Sequence, residues 1–123
     1  MKKAIDFYNE GYNCAEAIIK GYNTEHNKSI PVALGSPFGS GMTIGSTCGA
    51  ITAALIVIGA SKGREDSKEI NETRKDTKAL LKKIKDKYGS LECIELKKQG
   101  VPCENLVEDA YNILNEIVTK EGM

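Results

Sequence analysis

Four cysteines, Cys14, Cys48, Cys93 and Cys103, are the side chains of this chain with the most chemistry to offer. Thiolates bind metals, attack disulfides and anchor iron–sulfur clusters. Spacing separates these uses, and the intervening stretches run to 33, 44 and 9 residues. No C-x-x-C occurs, so a thioredoxin-like dithiol is absent. Paired knuckles for a zinc ribbon or RING are missing, as are C-x-x-C-H for covalent haem and the cysteine runs of ferredoxins. A shared site must be assembled in three dimensions, with one thiol from each of four segments. It would hold an iron–sulfur cluster or form two disulfides. Against both stands the plain reading, in which free cysteines only fill buried space.

The segments that must position these thiols read as helices. Over 3–22 the apolar residues Ala4, Ile5, Phe7, Tyr8, Tyr12, Ala15, Ile18, Ile19 and Tyr22 fall mostly three and four apart. That spacing predicts one helix with Cys14 inside it. A stretch rich in Gly, Ser, Pro and Asn follows, with a short helix over 29–34 and Pro31 in its first turn. In the long loop beyond, Gly35, Gly39, Gly41, Gly45 and Gly49 permit positive φ and close backbone approach.

Cys48 then opens an almost wholly apolar helix, capped by Ser46 or Thr47, with Gly59 and Gly63 bracketing its end. Asp66 and Glu69 form a capping box for a helix over 67–88. Its apolar seam, Ile70, Thr73, Thr77, Leu80, Leu81, Ile84 and Tyr88, is narrow. Lys82, Lys83, Lys85 and Lys87 crowd its end as solvated cations favoured by the macrodipole. Ser90 caps a short helix over 91–98 that carries Cys93. Gly100 breaks it, and Pro102 at a first helical position starts the last helix, with a stripe from Leu106 to Val118. No segment alternates with period two. The expected architecture is a single all-α domain over residues 1–123, a compact bundle of four main helices plus one or two short ones, with the long Gly-rich loop before a central apolar helix.

Cys48, Cys93 and Cys103 thus all fall in first helical turns. There the unpaired N–H groups and the positive dipole end favour a thiolate, and such placements lower a cysteine pKa from ~8.5 toward roughly 3.5–7.5. Glu92 and Glu104, each beside a cysteine, oppose the effect.

Four segments resemble a known family, the C-GCAxxG-C-C redox-active proteins, whose members carry four characteristic cysteines and a CGAxxG motif. "EGYNCAEAI" is similar to its first cysteine motif, and "FGSGMTIGSTCGAITAALIVIG" to its glycine loop and CGAxxG segment. "GSLECIEL" and "PCENLVEDAYNIL" resemble the third and fourth cysteine regions. The resemblance runs from about Ala4 to Val118. Ala53 stands where the motif has its last glycine, a change that touches no thiol. The family implies redox activity and a functional role for Cys14, Cys48, Cys93 and Cys103, but it supplies no reaction, so whether the chain is an enzyme stays unassigned.

Composition narrows the partners. With 17 basic and 17 acidic side chains no global field recruits nucleic acid or an anionic membrane. Aromatic residues at 6% and no Trp leave too few platforms for stacking on single strands. The N-terminus reaches Asp6 and Glu10 before any apolar run, so it reads as no secretory signal, and the apolar run over 50–60 is too short to span a bilayer. A cytoplasmic protein is expected, in a compartment where thiols stay reduced. The loop "GSPFGSGMTIGST" lacks the P-loop lysine and follows no strand, so it is no nucleotide site. His26, the only histidine, reads as solvated in a polar loop rather than as a ligand or general base.

The sequence therefore points to a cysteine-based redox protein. Its four thiolates are expected to hold an iron–sulfur or other metal centre for electron transfer. Gly39, Gly41, Gly45 and Gly49 would let the backbone pass close to that centre. The alternatives are a metal-free thiol–disulfide module, or a non-catalytic helical binding subunit with structural cysteines. An unidentified redox partner protein is implied. A homodimer is expected because the seam over 70–88 and the broad face of the last helix look too much for one small core.

Overall fold

The first helical stripe is cut in two. In the computed structural model, which describes residues 2–121, α1 spans Ala4–Asn9 and α2 spans Cys14–His26. One helix over 3–22 was the expectation. Gly11, at φ 117°, turns the chain. Asn13 then restarts the helix: its side chain accepts the Glu16 N–H at 2.8 Å, and the Glu16 carboxylate accepts the Asn13 N–H at 2.9 Å. This reciprocal box satisfies two donors that a helix start leaves open. The apolar spacing survives the break because α1 packs back on α2, so Phe7 and Ile18 enter one core. Gly21 permits that contact, since a Cβ there would lie 2.8 Å from the Ala4 Cα.

The short helix expected over 29–34 forms later, as a 3₁₀ helix over Val32–Phe38 with Pro31 just before it. The chain then makes a left-handed turn. Ser40, Gly41, Met42 and Thr43 have φ values of 55°, 62°, 57° and 70°. Three of these residues carry a Cβ, and such conformations cost about 1–2 kcal/mol each. A wide turn over Gly41–Gly45 closes when the Ser46 N–H donates to the Gly41 carbonyl at 2.8 Å.

The apolar segment forms α3, Gly49–Lys62. Ala50, Ile51, Ala53, Ala54, Val57 and Ile58 are all at most 1% exposed. A helix without a polar face belongs in the middle of a bundle, and α3 touches α2 and the 3₁₀ helix. Its cap is Cys48 itself, one or two residues later than Ser46 or Thr47.

The next helix, α4, spans Arg74–Tyr88 instead of starting at 67. The Asp66–Glu69 box does form, with the Asp66 N–H donating to Glu69 Oε1 at 3.1 Å. It closes only a turn, because the Asn71 side chain then accepts from both the N–H and the hydroxyl of Thr73. Ile70 consequently leaves the seam and is 80% exposed. Leu80 and Ile84 remain buried, and Asp76 meets Lys62 at 2.6 Å, tying α4 to the end of α3. Two helices complete the chain: α5, Cys93–Lys98, and α6, Cys103–Glu121. Pro102 sits just before α6 and not inside it. α6 packs on α1, α2, α3 and α4.

Among the described residues four long α-helices and two short ones, with the 3₁₀ helix, therefore make the all-α bundle around one core. The seam of α4 and the face of α6 meet inside that core. Among the described residues there is no strand, only one antiparallel bridge between Thr47 and Glu92. No helix among them is long and apolar enough to cross a membrane.

Candidate functional site

Every cysteine stands at the start of a helix. Cys14, Cys93 and Cys103 are the first residues of α2, α5 and α6, and Cys48 is the cap of α3. Sequence reasoning placed three of them so. The fourth follows from the break at Gly11, which turns Cys14 from a mid-helix residue into a helix start. All four thiols are free and line one cavity of about 360 Å³.

Local backbone geometry brings these helix starts together. The bridge between Thr47 and Glu92 sets two of them side by side: the Cys48 N–H donates to the Leu91 carbonyl at 2.9 Å, and the Cys93 N–H to Ser46 at 2.6 Å. The glycines close the loop over them. At Gly49 a Cβ would lie 2.6 Å from the Cys14 sulfur and 2.5 Å from the Phe38 carbonyl oxygen. At Gly41 it would lie 2.6 Å from the Cys93 Cβ. Gly39 makes room for Asn13, the cap of the Cys14 helix, whose amide also donates to the Ser36 carbonyl at 3.2 Å. Gly45, at φ 75°, lies against Ile94. Of the five loop glycines, only Gly41 and Gly45 use positive φ; Gly35, Gly39 and Gly49 serve close approach.

The model of the family described as "Putative redox-active protein (C_GCAxxG_C_C)" matches residues 12–117. The chain belongs to that family. Comparison with curated proteins and with solved structures finds no match. All four cysteines of this C_GCAxxG_C_C protein lie within the matched span, and Tyr8 lies outside it.

The electrostatics correct one expectation. A helix start should lower a thiol pKa, yet burial pushes Cys48 up to about 11. The N–H groups of Ala50 and Ile51 pull the other way, and the neighbouring Cys14 and Cys93 add to the rise. Cys14 is also raised, first by burial and then by Cys103 and Cys93, against the N–H groups of Ser40 and Ala15. At both sites loss of hydration outweighs the helix end. In the metal-free protein these two groups are neutral thiols at pH 7.

Sequence reasoning missed the rest of the wall. Tyr8, Tyr12, Ser40 and Lys97 line the same cavity. The Tyr8 hydroxyl is raised to about 12, first by burial and then by the charge and hydrogen bond of Cys103. Only Asn13 announced itself, through Asn13-x-x-Glu16, a capping-box pattern.

His26 is not where the sequence put it. It ends α2, its ring 4.4 Å from that of Tyr22 and its Nε2 2.6 Å from Asn115 Oδ1. It lines no wall of the thiol cavity. Among the described residues no three His, Cys, Asp or Glu side chains are grouped closely enough to hold a single metal ion. The donor set nonetheless suits a larger guest. Four cysteines are the ligand complement of common iron–sulfur clusters, and here they surround a space instead of meeting at a point.

Proposed function

We propose that the chain is an electron-transfer protein whose Cys14, Cys48, Cys93 and Cys103 hold an iron–sulfur cluster. One observation carries the reading: four thiols from four distant segments line a single cavity. A cluster accepts and releases electrons at nearly fixed geometry, with a potential set by charge, hydrogen bonds to sulfur and solvent access. The protein's part is to bind, orient and shield. Helix starts aim the thiols, and the backbone N–H groups of Ser40, Ala15, Ala50 and Ile51 favour the thiolates of Cys14 and Cys48 against burial. The glycines at 39, 41, 45 and 49 let the loop lie against the site. A reducing cytoplasm and an unidentified redox partner protein complete the reading.

The raised pKa values of Cys14 and Cys48 favour this reading over thiol–disulfide exchange. Exchange needs a standing thiolate, and burial suppresses it here. A bound cation deprotonates its thiol ligands outright. A metal-free dithiol module remains the second reading, favoured by the bridge that sets Cys48 and Cys93 side by side.

The test is anaerobic purification or reconstitution, followed by iron and sulfide analysis and visible spectra. Brown protein with matched iron and sulfide, lost in Cys48→Ser, is expected. Colourless protein whose thiols oxidise and re-reduce reversibly would select the dithiol reading instead.

A further inference from the structure

Charge is spread unevenly over this neutral chain. α4 carries seven basic residues and two acidic ones, and one of the two, Asp76, is buried against Lys62. Its lysines point two ways. Lys83 and Lys87 turn to α6, where they meet Glu116 at 3.5 Å and Asp109 at 2.8 Å. Lys75, Lys78 and Lys85 are exposed and, among the described residues, pair with no carboxylate. Arg74, Lys78, Leu81 and Lys85 follow one another at steps of four, three and four, so they share one face of the helix. That face is a groove. One part, of about 320 Å³, is lined by Lys78, Leu81, Lys82, Lys85, Asp86 and Leu91. A second part, of about 620 Å³, continues from Lys78 and Leu81 to Arg74 and Lys75. The floor is aliphatic, since Leu81 and Leu91 are half-buried against the core. Eleven helical steps from Arg74 to Lys85 make it about 17 Å long. The groove ends beside the thiols: the Leu91 carbonyl accepts the Cys48 N–H at 2.9 Å, and Cys93 follows two residues later.

We infer that this groove docks the redox partner, a small electron-carrier protein whose contact patch has an apolar centre ringed by carboxylates. The inference rests on the electron-transfer reading above. Charge complementarity selects this occupant. The lysines call for carboxylates, and the Leu81–Leu91 floor calls for apolar side chains, a combination that protein interfaces have and phosphate backbones lack. Solvated lysines at a rim speed encounter and fix orientation more than they tighten binding, which suits a carrier that must leave after each turnover. Nucleic acid fits less well, because the floor offers no ring on which a base could stack. The exposed Glu104, Glu108 and Glu116 of α6 also confine the positive field to one strip, which a long polyanion would overrun. In the docked pair one electron crosses between the carrier's centre and the centre behind Leu91. One is oxidised as the other is reduced, no bond forms or breaks, and no further reactant takes part.

The experiment is anaerobic stopped-flow mixing of the iron–sulfur-reconstituted chain with a reduced, acidic two-iron ferredoxin, at low and at high salt. Three proteins are compared: the parent, Lys78→Glu/Lys85→Glu in the groove, and Lys28→Glu/Lys68→Glu, the same change of charge at exposed lysines elsewhere. All three should carry equal iron and sulfide. At low salt the groove variant is expected to react about tenfold more slowly than the parent, and the control within about twofold of it. The gap should close as salt screens the charges. Equal slowing in both variants overturns the inference, because net charge alone would then act, and so does an unslowed groove variant. Tighter binding of duplex DNA or of phosphatidylserine vesicles than of the ferredoxin, lost in the groove variant, overturns it as well. If the chain takes up no iron or sulfide, the cluster reading fails alone, and calorimetry of the metal-free chain with the oxidised ferredoxin decides the groove. Binding that only Lys78→Glu/Lys85→Glu weakens upholds the docking surface, and binding that both variants or neither weaken overturns it.

Discussion

Cys48 shows two rules in competition. A helix start offers N–H groups to a thiolate, and burial takes away water. Sequence shows the first and hides the second, because burial depends on what α2 and α5 bring to the same place. The outcome sets a pH dependence. The folded pKa of about 11 lies above the ordinary 9.0, so the native state holds this proton more tightly than the unfolded chain. The stability this contributes is complete below about pH 9 and lost as pH rises through about 11, on the order of 3 kcal/mol. Denaturant melts of the metal-free protein should show that decline, and Cys48→Ala should flatten it between pH 9 and 11. Gly49 offers a second prediction. Gly49→Ala drives a methyl against the Cys14 sulfur and the Phe38 carbonyl. It should cost ~1–3 kcal/mol and sharply reduce iron uptake. Normal iron content would mean the loop has slack that these distances deny. The four cysteines were legible as candidates from residue type, and three of them from their place at expected helix starts. Tyr8 and Lys97 were not, because nothing local in the sequence ties them to Cys103 or Cys14.

Among the elements, periodicity found α3 and α6 because each has an apolar pattern that no neighbour disturbs. It failed at α1 and α2 for a physical reason. Two helices packed on one another share one stripe, so the stripe continues where the backbone does not. The break was written in other residues: Gly11, and Asn13 three before Glu16. The opposite error arose at Asp66. Its box with Glu69 is real, but a box closes one turn and cannot hold a helix when Asn71 captures Thr73. Asn13 can be tested directly. Asn13→Ala removes the cap and the amide bond to Ser36, and should cost ~0.5–2 kcal/mol while loosening Cys14. Asn13→Asp keeps the cap and should recover most of the stability. If both variants melt alike, the cap is not what sets the start of α2. In α3, Ala54→Phe should overpack the centre of the bundle and cost ~1–3 kcal/mol. A melting temperature equal to that of the parent would refute the central placement.

Across the whole molecule the bundle has two different ends. The starts of α2, α3, α5 and α6 gather the thiols. At the far end of α2 a polar network joins α2 to α6: Tyr111 donates to Glu25 at 2.5 Å and to the Gly21 carbonyl at 3.2 Å, and Asn115 donates to Glu25 at 3.0 Å while its oxygen meets His26. Twelve helical steps separate Cys14 from His26, about 18 Å at 1.5 Å each. The single histidine, expected as a solvated loop residue, is instead a clamp that holds α2 against α6, the two helices that present Cys14 and Cys103. The sequence, in which His26 follows several polar residues and precedes a loop, gave no sign of Asn115 or of the Tyr22 ring beneath it. A clamp and a ligand fail differently when removed. His26→Ala deletes the hydrogen bond to Asn115 and the ring contact with Tyr22, so it should lower stability by ~1–2 kcal/mol. Reconstituted at a temperature where the variant is folded, it should bind as much iron and sulfide as the parent, with an unchanged visible spectrum. Cys14→Ser should do the reverse, losing the iron while melting near the metal-free parent. Iron loss in His26→Ala comparable to that in Cys14→Ser would place the histidine at the centre, and would contradict the separation of the two ends along α2.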